Sequence, residues 1–279
     1  MKSFSTTLAA VLICTLCFVS CSKEKDPVRL PDTETPDPDA SLPYVGRLKQ
    51  EVSTVNGLKT YVDYSYRTDT LLEKIKSQSA AESALNYRID FVGDRGKLWE
   101  ASFYSFDPAR NLQELDSMTK YIYTEGRLSQ KVVSLPRQPD YPGYAIVFEY
   151  NQNGHIKSAR KLIEYMGGGT QQTLWDFDTD MSGNVIQLTE QVINYGSTVS
   201  RTFYEISYDD HVNPKYLLAD PVVFYEFFSP NNVTGVRASN SAGISQTRDT
   251  YRYDDFKRPA VRTHTSDKDD NRVLEYYYW

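Results

Sequence analysis

The chain has 279 residues and a net charge of −6, is 40 % hydrophobic and 13 % aromatic, and intersperses its acids and bases along its length. It presents no basic patch for a nucleic acid, and its length allows one large domain or two small ones. All three cysteines, Cys14, Cys17 and Cys21, precede residue 22, which excludes disulfides, thiolate metal sites and cysteine nucleophiles from the rest.

In chain order the first element is a secretion signal: Lys2, then an apolar core from Leu8 to Val19, too short to cross a membrane as a helix. It ends Phe18-Val19-Ser20-Cys21, which resembles the bacterial lipobox. The resemblance implies a lipoprotein signal peptide over 1–20. Cys21 would be the lipidation site, receiving a diacylglycerol thioether and becoming the first residue of the mature chain. The alternative is an ordinary signal with an incidental cysteine. Each buried methylene of the acyl chains adds roughly 0.8 kcal/mol, so a membrane partner reached through this lipid anchor is held stably. Ser22, rather than Asp, after the cysteine fits outer-membrane delivery by analogy with enteric sorting.

Residues 22–43 read SKEKDPVRLPDTETPDPDASLP, with five prolines, six acids and scarcely any bulky apolar residue. Such a composition cannot offset ordering entropy, so 21–43 is expected to be a disordered tether. Lys23-Glu24-Lys25-Asp26 resembles the acid-containing export signals of Bacteroidetes surface lipoproteins, although a solvated linker accounts for the same residues.

About 235 residues follow Tyr44 with no second linker, so 44–279 is read as one domain. Apolar or aromatic pairs two residues apart recur at Tyr64/Tyr66, Ile89/Phe91, Tyr121/Tyr123, Phe148/Tyr150, Trp175/Phe177, Ile206/Tyr208, Tyr225/Phe227, Tyr251/Tyr253 and Tyr276/Tyr278. Residues two apart on a strand share a face, so each pair marks a strand with one packed side. Most pairs lead into a polar turn, among them Gly93-Asp94-Arg95-Gly96, Glu125-Gly126, Asn153-Gly154 and Ser182-Gly183-Asn184, and then a strand opening on Leu98, Leu128, Ile156 or Val185. The expected fold class is all-β: a large antiparallel up-and-down meander of repeated hairpins. With sixteen or so strands it must curl into an open or closed barrel-like sheet.

Two stretches break the pattern. In DPARNLQELDSM, Asp107 offers a helix cap and Pro108 suits the first turn, so a short helix is expected. LLEKIKSQSAAESAL is read as helical or as a long loop. Met166-Gly167-Gly168-Gly169 reads as a flexible hairpin tip.

The aromatic-x-aromatic, turn, glycine skeleton resembles the YD repeats of wrapped bacterial sheets. YDDHVNPKYLL (208–218), FFSPNNVTGVR (227–237) and YRYDDFKRPAV (251–261) further resemble a Bacteroidetes exported lipoprotein family of unknown function described as having a porin-like fold. Arg258-Pro259 stands where that family more often has a glycine-containing turn. The resemblance implies a β-rich exported lipoprotein and transfers no catalytic residue.

Candidate sites are sparse. His155, His211 and His264 lie far apart, and Asp209-Asp210-His211 is the arrangement nearest to acid/base chemistry, though turns are commonly this polar. Asp176, Asp178 and Asp180, and Asp267, Asp269 and Asn271, begin like calcium loops but lack the glycine and terminal glutamate that close one; the first set equally suits the solvent face of a strand. No catalytic, metal or cofactor site is therefore expected. Asp69-Thr70-Leu71 and Asp116-Ser117-Met118 resemble the O-glycosylation signal of Bacteroidetes exported proteins, making Thr70 and Ser117 the candidate acceptors, whereas the Asn232-Val233-Thr234 sequon is discounted in a bacterial lipoprotein.

The 22 tyrosines, 12 phenylalanines and three tryptophans suit half-buried strands, where cross-strand aromatic pairs contribute roughly 0.2–1 kcal/mol each; the functional alternative is a stacking platform for a glycan. The sequence thus points to an outer-membrane, lipid-anchored binding or scaffold module that is not an enzyme, with a glycan or an envelope protein as partner. The rivals are an envelope hydrolase, favoured if acids gather with His211 or His264 in one pocket, and an outer-membrane pore. The even strand number and the terminal Glu275-Tyr276-Tyr277-Tyr278-Trp279 favour the pore. Against it, Ile156–Tyr165 places Arg160 and Glu164 on one face and Lys157 and Lys161 on the other, so neither face suits lipid.

Overall fold

Alternating apolar and polar side chains produce sixteen strands: β1 (Leu48–Val55), β2 (Leu58–Tyr66), β3 (Leu72–Ser79), β4 (Leu85–Asp94), β5 (Lys97–Asp107), β6 (Leu112–Thr124), β7 (Arg127–Ser134), β8 (Tyr144–Tyr150), β9 (Ile156–Glu164), β10 (Thr170–Thr179), β11 (Val185–Asn194), β12 (Ser197–Val212), β13 (Asn231–Asn240), β14 (Gly243–Tyr253), β15 (Pro259–Ser266) and β16 (Arg272–Tyr278). Among the described residues one short helix, α1 (Phe224–Phe227), lies between β12 and β13. This computed structural model describes residues 47–66, 72–79, 85–94, 97–107, 112–138, 143–165, 169–218, 224–267 and 271–279. Each strand pairs antiparallel with its neighbours in sequence, and β1 pairs with β16, so the sheet is a closed up-and-down barrel.

The recurring sequence skeleton has a defined register. Near its start, every odd-numbered strand places an apolar residue opposite the last part of the preceding even-numbered strand, or of β16 for β1, and carries one extra residue next to it. The pairs are Leu48↔Tyr278, Leu72↔Tyr66, Leu98↔Gly93, Leu128↔Tyr123, Ile156↔Tyr150, Val185↔Thr179, Val233↔Tyr208 and Pro259↔Tyr253. These are β-bulges, all at the same rim, and each disrupts the local ladder. Tyrosine hydroxyls on neighbouring strands compensate: Tyr150 donates to the Leu128 carbonyl (2.8 Å), Tyr208 to Val185 (2.7 Å), Tyr251 to Val233 (2.9 Å) and Tyr278 to Pro259 (2.9 Å).

Because of the extra residue, positions three apart both face inward. Leu72 and Ile75, Ile156 and Ala159, and Val185 and Leu188 are all buried. The inward aromatics Tyr64, Phe91, Tyr121, Phe148, Phe177 and Tyr276 join them in one core.

Three turns at this rim share one geometry. In 151–155, 180–184 and 254–258 the leading Asn or Asp accepts two backbone N–H bonds through its side chain, and the fourth residue has positive φ: Gly154 (84°), Gly183 (90°) and Lys257 (61°). The departure at Arg258-Pro259 therefore leaves the turn type intact, with Lys257 in the glycine's place.

Three expectations are corrected. Residues 112–118 of DPARNLQELDSM are strand, not helix: Asp107 ends β5 and Leu112 opens β6, with 108–111 outside the described residues. In LLEKIKSQSAAESAL, Leu72–Ser79 is β3 and Leu85 opens β4, with 71 and 80–84 outside the described residues, and the helical look comes from the bulge that sets Leu72 and Ile75 three apart. Tyr225/Phe227 is not a strand pair, since both residues belong to α1.

Candidate functional site

The described residues of the connection from β12 to β13, 213–218 and 224–230, do not stay at the rim. Phe224 meets Phe148 of β8 and Trp175 and Phe177 of β10 edge-on, with centroids 6.0, 4.9 and 5.9 Å apart. Phe228 packs on Phe148, Tyr150 and Phe177. Yet Lys215 pairs with Glu51 of β1 (2.7 Å) and Glu226 with Arg262 of β15 (2.9 Å). Strands β8 and β10 stand nearly half the circumference from β15, β16 and β1, so this segment is a plug lying across the lumen.

The plug is fastened at its base. Asn213 donates from Nδ2 to the Glu226 and Ser229 carbonyls (2.6 and 3.0 Å), and Leu217 N–H bonds the Phe227 carbonyl (3.0 Å). The Ser229 hydroxyl, fully buried, accepts from Val185 N–H and donates to the Tyr208 hydroxyl (both 2.9 Å). Asn184, in the turn before β11, exchanges hydrogen bonds with Asn231 at the plug's exit.

Its polar side faces a buried charge chain: Lys215 with Glu51, then Glu226, Arg262, Asp249 (2.9 Å from Arg262) and His264, whose Nδ1 lies 2.8 Å from Asp249. Burial works against the charge on Lys215, but Glu51, Tyr276 and Glu226 outweigh it and hold the amine well above its ordinary value. Burial likewise opposes the Glu226 carboxylate, and Lys215 and Arg262 overcome it, so this carboxyl sits below its ordinary value. Burial, with Glu226 adding to it, pushes the Tyr225 phenol up to about 12. The void among Lys215, Glu226, Tyr251, Arg262 and Tyr276 is about 10 Å³, the space of one water. The arrangement can bind the plug to the wall; it has no room for a substrate.

The candidate residues fall in separate places. His264 belongs to this buried chain. His211 lies at the rim, stacked on Tyr253 (3.9 Å) with Nδ1 2.7 Å from Asp210, while Asp209 takes a short hydrogen bond from the Tyr253 hydroxyl. Acids do stand with both candidates, Asp209 and Asp210 with His211 at the rim and Asp249 with His264 in the buried chain, where His264 and Asp249 are buried. His155 lies against the Gly183 turn. Asp176 and Asp178 occupy the exposed face opposite Trp175 and Phe177, and Asp180 caps its turn. Asp267 and Asn271 cap backbone N–H groups of β14 and β15, with Asp269 outside the described residues. Among the described residues no group of three His, Cys, Asp or Glu is placed to hold a metal. Asn232 is buried, donating to Asp209 and the His211 carbonyl. Gly169 is buried against the Tyr195 ring. Cys21, Thr70 and Gly168 lie outside the described residues.

Toward the opposite rim, an open cleft of about 420 Å³ is lined by Phe103, Asp116, Ser117, Leu135, Arg137 and Gln138. Arg137 bonds Asp116 (3.0 Å) and Glu114, and Phe103 stacks on Tyr87 (5.5 Å). Sequence reading missed the plug and this cleft; the Phe224/Phe228 spacing of four was the available signal for the plug.

No family model and no curated protein matches the chain. Among solved structures it is similar to a porin-like protein from Bacteroides vulgatus ATCC 8482, at 10 % identity over 84 % of this chain and 99 % of that one, with a TM-score of 0.42. It is also similar to a porin-like protein from Bacteroides uniformis ATCC 8492, at 12 % identity over 82 % and 94 %, with a TM-score of 0.45.

Proposed function

We propose that the protein is a lipid-anchored component of the bacterial outer membrane, held by Cys21, and that its barrel is a non-catalytic binding or scaffold module standing in water. The polarity of the barrel's two faces carries this reading. The outward face presents Lys76, Lys120, Arg160, Asp176, Glu205, Arg237, Arg248 and Arg252, all exposed, on β3, β6, β9, β10 and β12 to β14. In a barrel that crosses a bilayer that face meets hydrocarbon, where each Arg or Lys at mid-depth costs about 2–4 kcal/mol. The interior carries an aromatic core on one side and the buried charge chain on the other, with the plug between them. On β9, Arg160 and Glu164 face out, while Lys161 faces in under the Tyr144 ring at 4.0 Å.

The closed sixteen-strand barrel and the aromatic β16 are what favour the rival reading as a pore. The catalytic rival has in its disfavour that the Asp249–His264 pair is buried in packed surroundings. For a glycan partner, the cleft at Phe103 and Arg137 supplies an aromatic ring beside hydrogen-bonding side chains.

Residues 42–279 made without the lipid should be soluble and β-rich in detergent-free buffer. Aggregation, with refolding only in detergent and conductance in planar bilayers, would assign a pore. Metabolic labelling with an acyl probe should mark the wild type and not Cys21→Ala; a labelled variant removes the anchor from the proposal.

A further inference from the structure

We infer that the bulged rim, where the chain enters the barrel, rests on a lipid surface through an arc of four apolar side chains: Met181, Leu217, Phe256 and Trp279. The inference rests on the lipid-anchor reading above and adds which end of the barrel meets the membrane.

These residues sit at successive connections on that rim: β10–β11, β12–β13, β14–β15 and directly after β16. Met181 is 101 % exposed, Phe256 78 %, Trp279 65 % and Leu217 45 %. Successive connections are two strands apart, so at about 4.8 Å per strand the arc extends roughly 30 Å.

Folding does not require apolar tips. The turns at Asp180 and Asp254 place Met181 and Phe256 in positions that the turn at Asn151, with the same hydrogen bonds, fills with Gln152 and Asn153. The leading aspartates of those two turns point back to cap backbone N–H groups, and Met181 beside Ser182, and Phe256 between Asp255 and Lys257, are exposed at the tips. Over the polar side of the same rim, the β6–β7 and β8–β9 tips carry Glu125, Gln152 and Asn153, all exposed. Among the described tips of this rim the apolar ones lie in this arc, while Trp99, 51 % exposed beside the bulge of β5, lies outside it.

Cations accompany the arc. Lys49 Nζ lies 4.4 Å over the Trp279 ring, Arg258 lies 4.9 Å over Phe256, and Lys257 is exposed beside it. Aromatic rings beside lysines suit the headgroup layer, where the ring enters the interface and the cation reaches phosphate; Arg258 is paired with Asp254 (2.7 Å), which leaves Lys49 and Lys257 for that role. Trp279 also marks the point of entry, since its N–H bonds the Arg47 carbonyl (3.0 Å). Cys21 precedes Arg47 by 26 residues. A proline-rich stretch extends by about 3.1 Å per residue, so the anchor alone does not dictate contact; the arc must supply it.

The test uses the lipidated full chain in phosphatidylcholine vesicles with acyl chains brominated near the headgroup. The Trp279 signal is taken as the difference between wild type and Trp279→Phe. It should be roughly halved by the bromines, because an interfacial side chain buries about 5–10 Å into the headgroup boundary. Met181→Ser with Phe256→Ser should relieve that quenching while the protein still floats with the vesicles. A tryptophan placed at the other rim by Tyr195→Trp should stay unquenched. Flotation with an unquenched Trp279, or equal quenching at both rims, overturns the inference and leaves the anchor standing. Unquenched Trp279 with concentration-dependent dimers assigns the arc to a second copy of the chain. A full chain that does not float overturns both.

Discussion

The plug's ionic end is the point at which the fold can be probed most sharply. Lys215 and Glu51 meet at 2.7 Å with side chains 27 % and 10 % exposed. Removing one member of a buried pair leaves the other charge uncompensated, a loss of about 3–5 kcal/mol. Lys215→Met should fall at the upper end of that range, because its removal strands Glu51 and also takes one of the two cations from Glu226, which keeps Arg262. Glu51→Gln should cost less, since Glu226 continues to offset the amine. The double variant removes both charges together and should recover much of the loss, giving a coupling of at least about 2 kcal/mol, within the range of contacting residues. Urea unfolding of residues 42–279, followed by far-ultraviolet circular dichroism and by tryptophan fluorescence, reads these differences as midpoint shifts. A Lys215→Met loss under about 1 kcal/mol, or a double variant as unstable as the sum of the singles, would mean that the plug is not latched to β1 by charge.

Three further outcomes are expected. Tyr208→Phe removes the hydroxyl that joins the Val185 carbonyl to Ser229 and should cost about 1–3 kcal/mol by urea melt, whereas Tyr195→Phe at an exposed tip should be near neutral. Gly154→Val forces a β-branched residue to φ 84° with its Cβ 2.5 Å from the Arg127 guanidinium and should lower the melting temperature, while Lys257→Gly, at φ 61°, should raise stability by up to about 1 kcal/mol; the reverse order would refute the shared turn. Glu226 is held below its ordinary 4.5, so it stabilises the fold above that pH and the contribution fades as pH falls through the lowered value. The raised Lys215 stabilises fully below the ordinary lysine value and its share fades only as pH climbs through the raised one. Stability measured against pH should therefore fall on the acid side more steeply in the wild type than in Glu226→Gln, and parallel acid limbs would remove Glu226 from the cause.

Strand identity and order were legible because inward aromatics two apart, followed by an Asn, Asp or Gly turn, are what each hairpin physically needs. Closure was not, since the pairing of Leu48 with Tyr278 leaves no local pattern. The bulges were the main source of error. An extra residue in a strand puts two inward side chains three apart, which is also the spacing on one face of a helix, so Leu72 and Ile75 imitate a helix while lying in β3. Lys157 misled in the same way: it is the extra residue of β9, so it does not share a face with Lys161, and the charges that face outward are Arg160 and Glu164.

The plug was hidden for a different reason. A helix reveals itself by an apolar stripe and a polar face, yet α1 lies inside a barrel and can be apolar nearly all round. Phe224, Tyr225, Phe227 and Phe228 therefore show no stripe, and the Tyr225/Phe227 spacing matches the strand pairs. The residues immediately C-terminal to each pair tell the two apart. The pairs at 148/150 and 251/253 lead into a turn with a capping Asn or Asp and a residue at positive φ, whereas Phe227 leads into Phe228-Ser229-Pro230, with Phe228 N–H bonded back to the Phe224 carbonyl (2.8 Å). An aromatic pair with neither the capping Asn or Asp nor a positive-φ turn, as at Phe227, thus differs from those that continue into a hairpin. Here it carries Glu226 to Arg262 on one side and Phe224 to Trp175 on the other, and so sets chain across the lumen.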